Sequence, residues 1–231
     1  MPEIAADSAP VGAIVFAHGY LGSATGTMAS VQLEQFADNL EFALIAAKSA
    51  GDDWAIPGAP SAGSVPDADE LAYFDAVLED VTTRFPIDPK RLVAAGFSAG
   101  GMMVWTLACH RSERFAGFVP MAGTFWRPTP ERCTSPPASL VHIHGDADNI
   151  VPLAGRQIED AHQGNVEDVL AMYTAYGDFG DATNVGYGEL RCRERRNTSG
   201  QILDFCLFPG GHTFKAEHLG HAVKKLVPTN P

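Results

Sequence analysis

The sequence predicts an α/β fold: a mostly parallel central sheet with helices on both faces. Short apolar runs with few charges, such as residues 12–17 and 42–47, read as strands buried on both sides. Amphipathic stretches alternate with them. The clearest covers 67–85, where Leu71, Phe74, Leu78, Val81 and Phe85 step by three and four and make one apolar stripe. With 231 residues, 45% of them hydrophobic, the chain can bury one substantial core, so a single domain spanning 1–231 is expected.

In chain order, the strands at 12–17 and 42–47 enclose a helix at about 28–40, a βαβ-like opening. Pro86 and Pro89 end the helix at 67–85. A strand at 91–97 then meets a sharp Ser-Gly turn and a helix-like run at 99–109. Further strands are expected at Gly117–Met121, at 140–144 and at Ile202–Phe208, before a closing helix at 216–227. Residues 154–188 fit the sheet pattern poorly. They hold a plausible helix at Val166–Tyr176 and a Gly-rich connection, and they read as an excursion over the active face, a lid or pocket wall.

Charge narrows the partners. The 28 acidic and 16 basic residues give a net charge of −12, which repels phosphates and anionic lipid, so neither nucleic acid nor a membrane is an expected partner. No apolar run has the length of a membrane span, and residues 1–10 lack the basic start and apolar stretch of a signal peptide. A soluble monomer or small homo-oligomer is expected.

Cys109, Cys133, Cys192 and Cys206 permit three pairings if all are oxidised. Cys192 and Cys206 lie in strand-like runs at 189–195 and 202–208, joined by the turn-rich Asn197-Thr198-Ser199-Gly200. A hairpin would set these two opposite each other and leave Cys109 with Cys133. Four reduced, buried thiols in a cytoplasmic enzyme are the alternative.

The first chemistry appears at Gly96-Phe97-Ser98-Ala99-Gly100, a G-x-S-x-G string between a buried strand and a helix-compatible run. This is the context of a nucleophile elbow, in which a strained turn lifts a serine hydroxyl above the sheet at a helix N-terminus. The string alone is weak evidence. Its context makes Ser98 the candidate nucleophile, to be activated by a base within hydrogen-bond reach. A carboxylate and then a histidine follow in the expected order. Asp146 and Asp148 sit after the strand at 140–144, where α/β sites assemble; Asp148 is chosen as the orienting acid, and Asp146 as a cap of the next segment. His212 follows Pro209-Gly210-Gly211, whose glycines let the backbone bend an imidazole back over Ser98.

A tetrahedral oxyanion needs preorganised N–H donors. Ala99 N–H is the first candidate. The second is expected from His18-Gly19-Tyr20-Leu21-Gly22-Ser23 after the first strand, with Tyr20 preferred to Leu21. His142 and His144, at alternate strand positions, suggest a metal pair, but no third ligand follows at suitable spacing, so no metal is assigned.

Together, GFSAGGMM at 96–103, HGDADNIVP at 144–152 and GGHTF at 210–214 resemble the polyhydroxybutyrate depolymerase and feruloyl esterase family of α/β-hydrolases. The similarity extends through DPKRL at 88–92, and Cys109 and Cys133 resemble cysteine positions of that family. The resemblance implies an α/β-hydrolase fold, with Ser98, Asp148 and His212 matching the family's triad. It also implies hydrolysis of carboxylic esters without a cofactor, and export to the periplasm or medium. Phe214 stands where an aromatic Trp is common, and 154–188 looks unlike the family's usual connection. With no appended polymer-anchoring domain in view, a small, oligomeric or aromatic ester is expected as substrate rather than solid polyester. Trp54, Phe125, Trp126 and Phe179 are candidates to line an acyl or aryl pocket, with core packing as the alternative. Two other functions stay open: peptidase or thioesterase activity through the same residues, and a non-catalytic binding module built on the same core.

Overall fold

The computed structural model describes residues 9–65 and 69–227. Strand β1 (Val11–Ala17), helices α1 (Ala24–Met28) and α2 (Val31–Leu40), and strand β2 (Phe42–Ala46) open the chain. Helix α3 (Glu70–Arg84), β3 (Ile87–Phe97), α4 (Ala99–His110), β4 (Gly117–Met121) and β5 (Leu140–Gly145) follow. Then come a small hairpin of β6 (Gln157–Ile158) and β7 (Ala161–His162), α5 (Val166–Tyr176), β8 (Thr183–Tyr187), β9 (Leu190–Arg196), β10 (Ile202–Phe208) and α6 (Ala216–Leu226).

Eight strands form the central sheet in the order β2-β1-β3-β4-β5-β10-β9-β8. It is parallel from β2 to β10 and antiparallel through the last two strands. Strand order reverses at β1, which has β2 on one side and β3 on the other. The carboxyl ends of β1 and β3 therefore open the crevice in which α/β folds bind ligands. Apolar side chains of α3, α4 and α5 pack on one face of the sheet, and those of α2 and α6 on the other. Helix α4 is buried from Ala99 to Cys109, as a sequence apolar but for Thr106 requires; the Thr106 hydroxyl donates back to Met102 O.

Several boundaries differ from the sequence expectation. The helix expected at 28–40 is broken at Ser30, whose hydroxyl accepts the Leu33 N–H and starts α2 afresh. Asp69 caps α3; the earlier start expected at Asp67 lies outside the described residues. Strand β3 begins before Pro89, and its pairing with β1 slips register there, so the missing proline N–H falls in an irregular stretch of the ladder. Residues 154–188 divide into unlike parts. Helix α5 buries Val166, Val169 and Tyr173 in the core, and β8 is an edge strand of the main sheet. Only the β6–β7 hairpin stands outside the sheet, lining a cavity of about 690 Å³ with Gly58, Pro60, Arg127 and Pro128.

Cys192 and Cys206 face each other across β9 and β10 and are joined; Cys109 at the end of α4 is joined to Cys133. Among the described residues no helix is long and apolar enough to cross a membrane.

Candidate active site

Ser98 occupies the turn between β3 and α4 with φ 59° and ψ −121°, a conformation that L-residues avoid at a cost of about 1–3 kcal/mol. The surroundings hold it there. Ser98 N–H donates to Met121 O at 2.9 Å, and Ala122 N–H donates to Ile143 O at 2.8 Å, so β3, β4 and β5 share the frame. Two glycines permit the turn by close approach: a Cβ on Gly100 would lie 2.0 Å from Ala17 O, and one on Gly96 would lie 2.4 Å from Gly100 O. The elbow is thus pressed, backbone on backbone, against the end of β1.

The loop that leaves β1 abuts the serine. A Cβ on Gly19 would sit 3.5 Å from Ser98 Cβ. Gly19 O accepts two hydrogen bonds, from Gly22 N–H at 2.9 Å and from His18 Nδ1 at 2.9 Å. Ser49 N–H donates to His18 Nε2 at 3.5 Å, which leaves the ring proton on Nδ1. In a trans peptide the N–H points opposite to the C=O, so fixing Gly19 O also fixes the direction of Tyr20 N–H. Among the described residues neither Tyr20 N–H nor Ala99 N–H finds an acceptor, while Leu21 N–H is bound to Asp52 O at 3.0 Å.

Asp148 and His212 are directly joined: His212 Nδ1 lies 2.7 Å from Asp148 Oδ2. The other carboxylate oxygen accepts Ile150 N–H at 2.8 Å and Val151 N–H at 2.9 Å. His144 Nε2 lies 3.4 Å from Oδ2. Burial alone would raise the Asp148 pKa, but the hydrogen bonds from His144, His212, Val151 and Ile150 outweigh it. They hold the carboxyl well below its usual range. The His212 ring packs on the Phe97 ring, centroids 4.7 Å apart, and so lies over the residue before Ser98. Among the described residues no hydrogen bond links Ser98 Oγ to His212.

Capping of the segment after 148 falls to Asp148 itself, not to Asp146 as expected. Asp146 instead reaches across, accepting Gly210 N–H at 3.2 Å and Arg191 at 2.7 Å, and ties down the loop that carries His212.

The family described as Phospholipase/Carboxylesterase matches residues 68–175. The acetyl xylan esterase from Aspergillus awamori superposes with a TM-score of 0.65 over 95% of this chain and 90% of that one, at 11% identity. The chain has the α/β-hydrolase fold. Sequence relatives include proteins named as esterases. A putative esterase, NocK, from Nocardia uniformis subsp. tsuyamanensis is 34% identical over 139 residues, 60% of this chain and 40% of that protein. The probable feruloyl esterase C of Aspergillus niger is 30% identical over 89 residues, 38% of this chain and 32% of that protein. The chain thus matches only about a third to two-fifths of the length of these relatives.

In this fold the four aromatic residues expected at a pocket lie in the core. Trp54 is fully buried between His18 and Phe74, and its indole N–H donates to His18 O at 2.8 Å. Phe125 packs on Trp105, Trp126 bridges to Gln163, and Phe179 stacks on Tyr173 beneath α5. The exposed apolar side chains near Ser98 are instead Tyr20 and Leu21, about two-thirds exposed at the tip of the β1 loop.

His142 and His144 turn toward each other, with His142 Nε2 3.0 Å from His144 Nδ1 and their outer nitrogens engaged by Trp105 and Val151, so neither ring offers a free metal ligand. Sequence reasoning missed His18 as the brace of the β1 loop. Its place directly after a buried strand was visible, but its partner Ser49 comes from the far side of β2.

Proposed function

We propose that this α/β-hydrolase is a serine carboxylic ester hydrolase that works through an acyl-enzyme. The observation that carries the proposal is the 2.7 Å contact between Asp148 and His212 beside a serine held at positive φ. Ser98 is the nucleophile, His212 the general base and Asp148 the acid that orients it. His212 closes on Ser98 Oγ as substrate binds, since catalytic hydrogen bonds tighten in the Michaelis complex.

His212 Nε2 takes the Ser98 proton while Oγ bonds to the ester carbonyl carbon. The charge that develops on the carbonyl oxygen is received by Ala99 N–H and Tyr20 N–H. The intermediate collapses, the C–O bond to the alcohol breaks, and the alcohol leaves with the proton from His212. Water, deprotonated by His212, then attacks the acyl carbon; Ser98 takes the proton back and the acid departs. No step calls for a metal or cofactor.

The substrates are small, oligomeric or aromatic esters of feruloyl or hydroxyalkanoate type; the feruloyl esterases among the partial relatives support the aromatic choice. The two disulfides fit a protein exported to an oxidising compartment. Ser98→Ala is expected to lower ester turnover by about three orders of magnitude or more with the fold intact. Unchanged turnover in that variant, or no labelling of Ser98 by an alkyl fluorophosphonate, would overturn the mechanism. A panel of aryl, short-chain and hydroxyalkanoate esters, run beside matched amides and thioesters, identifies the acyl and alcohol preference.

A further inference from the structure

Behind Asp148 a line of buried rings runs into the core. Trp105 Nε1 on α4 lies 3.2 Å from His142 Nδ1; His142 Nε2 lies 3.0 Å from His144 Nδ1; His144 Nε2 lies 2.8 Å from Val151 O and 3.4 Å from Asp148 Oδ2. Both histidines are fully buried. An indole N–H can only donate, so His142 Nδ1 must accept, and its single proton sits on Nε2. That proton occupies His144 Nδ1 as an acceptor, so the His144 proton also sits on Nε2. Every donor in the line therefore points toward Asp148.

We infer that His142 and His144 are positioning residues for Asp148: Trp105 sets the tautomer of His142, which sets that of His144, whose Nε2–H then pins both the carboxylate and its loop. The inference rests on the reading of Asp148 as the acid that orients His212. His144 acts twice, on Asp148 Oδ2 directly and on Val151 O, whose residue also donates its N–H to Asp148 Oδ1. A reversed His144 would turn a lone pair toward two acceptors and loosen both contacts. The rings face Trp105 from α4, Phe205 from β10 and, as the charged neighbour, Asp148. Burial and the adjacent ring keep His142 neutral.

The first test needs no activity. Nitrogen-15 spectra of the wild-type imidazoles are expected to show His142 and His144 both in the Nε2–H tautomer, and Trp105→Phe should release the His142 tautomer. His142 or His144 with its proton on Nδ1 overturns the inference. The second test is kinetic, with p-nitrophenyl acetate. His144→Phe is expected to lower kcat about 10- to 100-fold with KM nearly unchanged, and His144→Gln, which keeps a donor near the Nε2 position, should restore most of it. Unchanged kcat in His144→Phe, with Ser98→Ala inactive, would sink the relay and leave the mechanism standing. An active Ser98→Ala would sink the mechanism, with the tautomers still readable on their own.

Discussion

Asp146 holds Gly210: its carboxylate accepts the Gly210 N–H at 3.2 Å, two residues before the Asp148 that bonds His212. One loop thus supplies both the acid proposed to orient the imidazole and the brace that positions the imidazole's backbone. The Gly210 N–H and then Arg191 hold the Asp146 pKa below its ordinary value, so the brace is charged throughout the neutral range. Asp146→Ala is expected to lower kcat about tenfold or more, because small displacements of a catalytic group are costly, while backbone bonds from Asp146 and Ala147 to Phe208 and Gly210 keep the loop folded. Asp146→Asn retains an acceptor and should recover most of the rate. Arg191→Ala should matter little, since that side chain is largely exposed. Steady-state kinetics with equal activity in all three variants would refute the brace.

The Cys192–Cys206 bond closes a hairpin of 14-residue separation, and Cys109–Cys133 closes a loop of 24. Constraining a loop of the former size stabilises a fold by about 3 kcal/mol in the chain-entropy account. Thiol titration of the denatured, unreduced protein should find no free cysteine, and reduction should lower the urea midpoint. Four titratable thiols would contradict the pairing and remove the argument for export.

Acid should weaken the fold in two stages. Burial, then the neighbouring His144, pushes the His142 pKa well below its ordinary 6.5, so the unfolded chain takes a proton that the folded one refuses. Burial lowers His110, His218 and His221 in the same sense. Stability therefore falls as pH drops below 6.5, partly offset by Asp204, whose carboxyl is raised first by burial. The second stage belongs to Asp148. Its depressed pKa contributes stability in full above 3.8, and that contribution is lost as pH falls through the folded value. Each group changes the slope by at most about 1.4 kcal/mol per pH unit. Urea unfolding from about pH 8 to about pH 3 should show both declines in the wild type and a shallower second one in Asp148→Asn. Equal acid slopes for the two proteins would show that Asp148 does not carry it.

Periodicity made most of this architecture legible. The parallel strands declared themselves as apolar runs, and the helix at Val166–Tyr176 stands where its pattern placed it. β8 did not, because Thr183–Tyr187 is a mostly exposed edge strand whose only instruction is its pairing with β9. Trp54 was legible as an aromatic residue but not as a buried support, since that depends on His18, 36 residues earlier. The histidine pair was visible as an alternation, and its chemistry was not. Only Trp105, 37 residues before His142, determines which nitrogen carries the proton. Motifs locate groups that act along the chain; bonds made between distant segments leave no such mark.

The peptide between Gly19 and Tyr20 provides the most direct test of preorganisation. His18 Nδ1 and Gly22 N–H both bind Gly19 O, and the indole of Trp54 binds His18 O, so the plane is held from behind while Tyr20 N–H faces outward. His18→Phe preserves the ring contact with Trp54 and removes the bond to Gly19 O, together with the long one from Ser49 N–H. If Tyr20 N–H receives the oxyanion, its freed peptide no longer points at the charge, and kcat should fall by about tenfold, up to the 10²–10³ that losing an oxyanion donor costs. KM should change little, because the interaction strengthens only as charge develops. A trifluoromethyl ketone, which forms a charged tetrahedral adduct with an active serine, should lose affinity in parallel with kcat. Undiminished inhibitor affinity in the folded variant would mean that this loop does not hold the charge and that the second donor lies elsewhere.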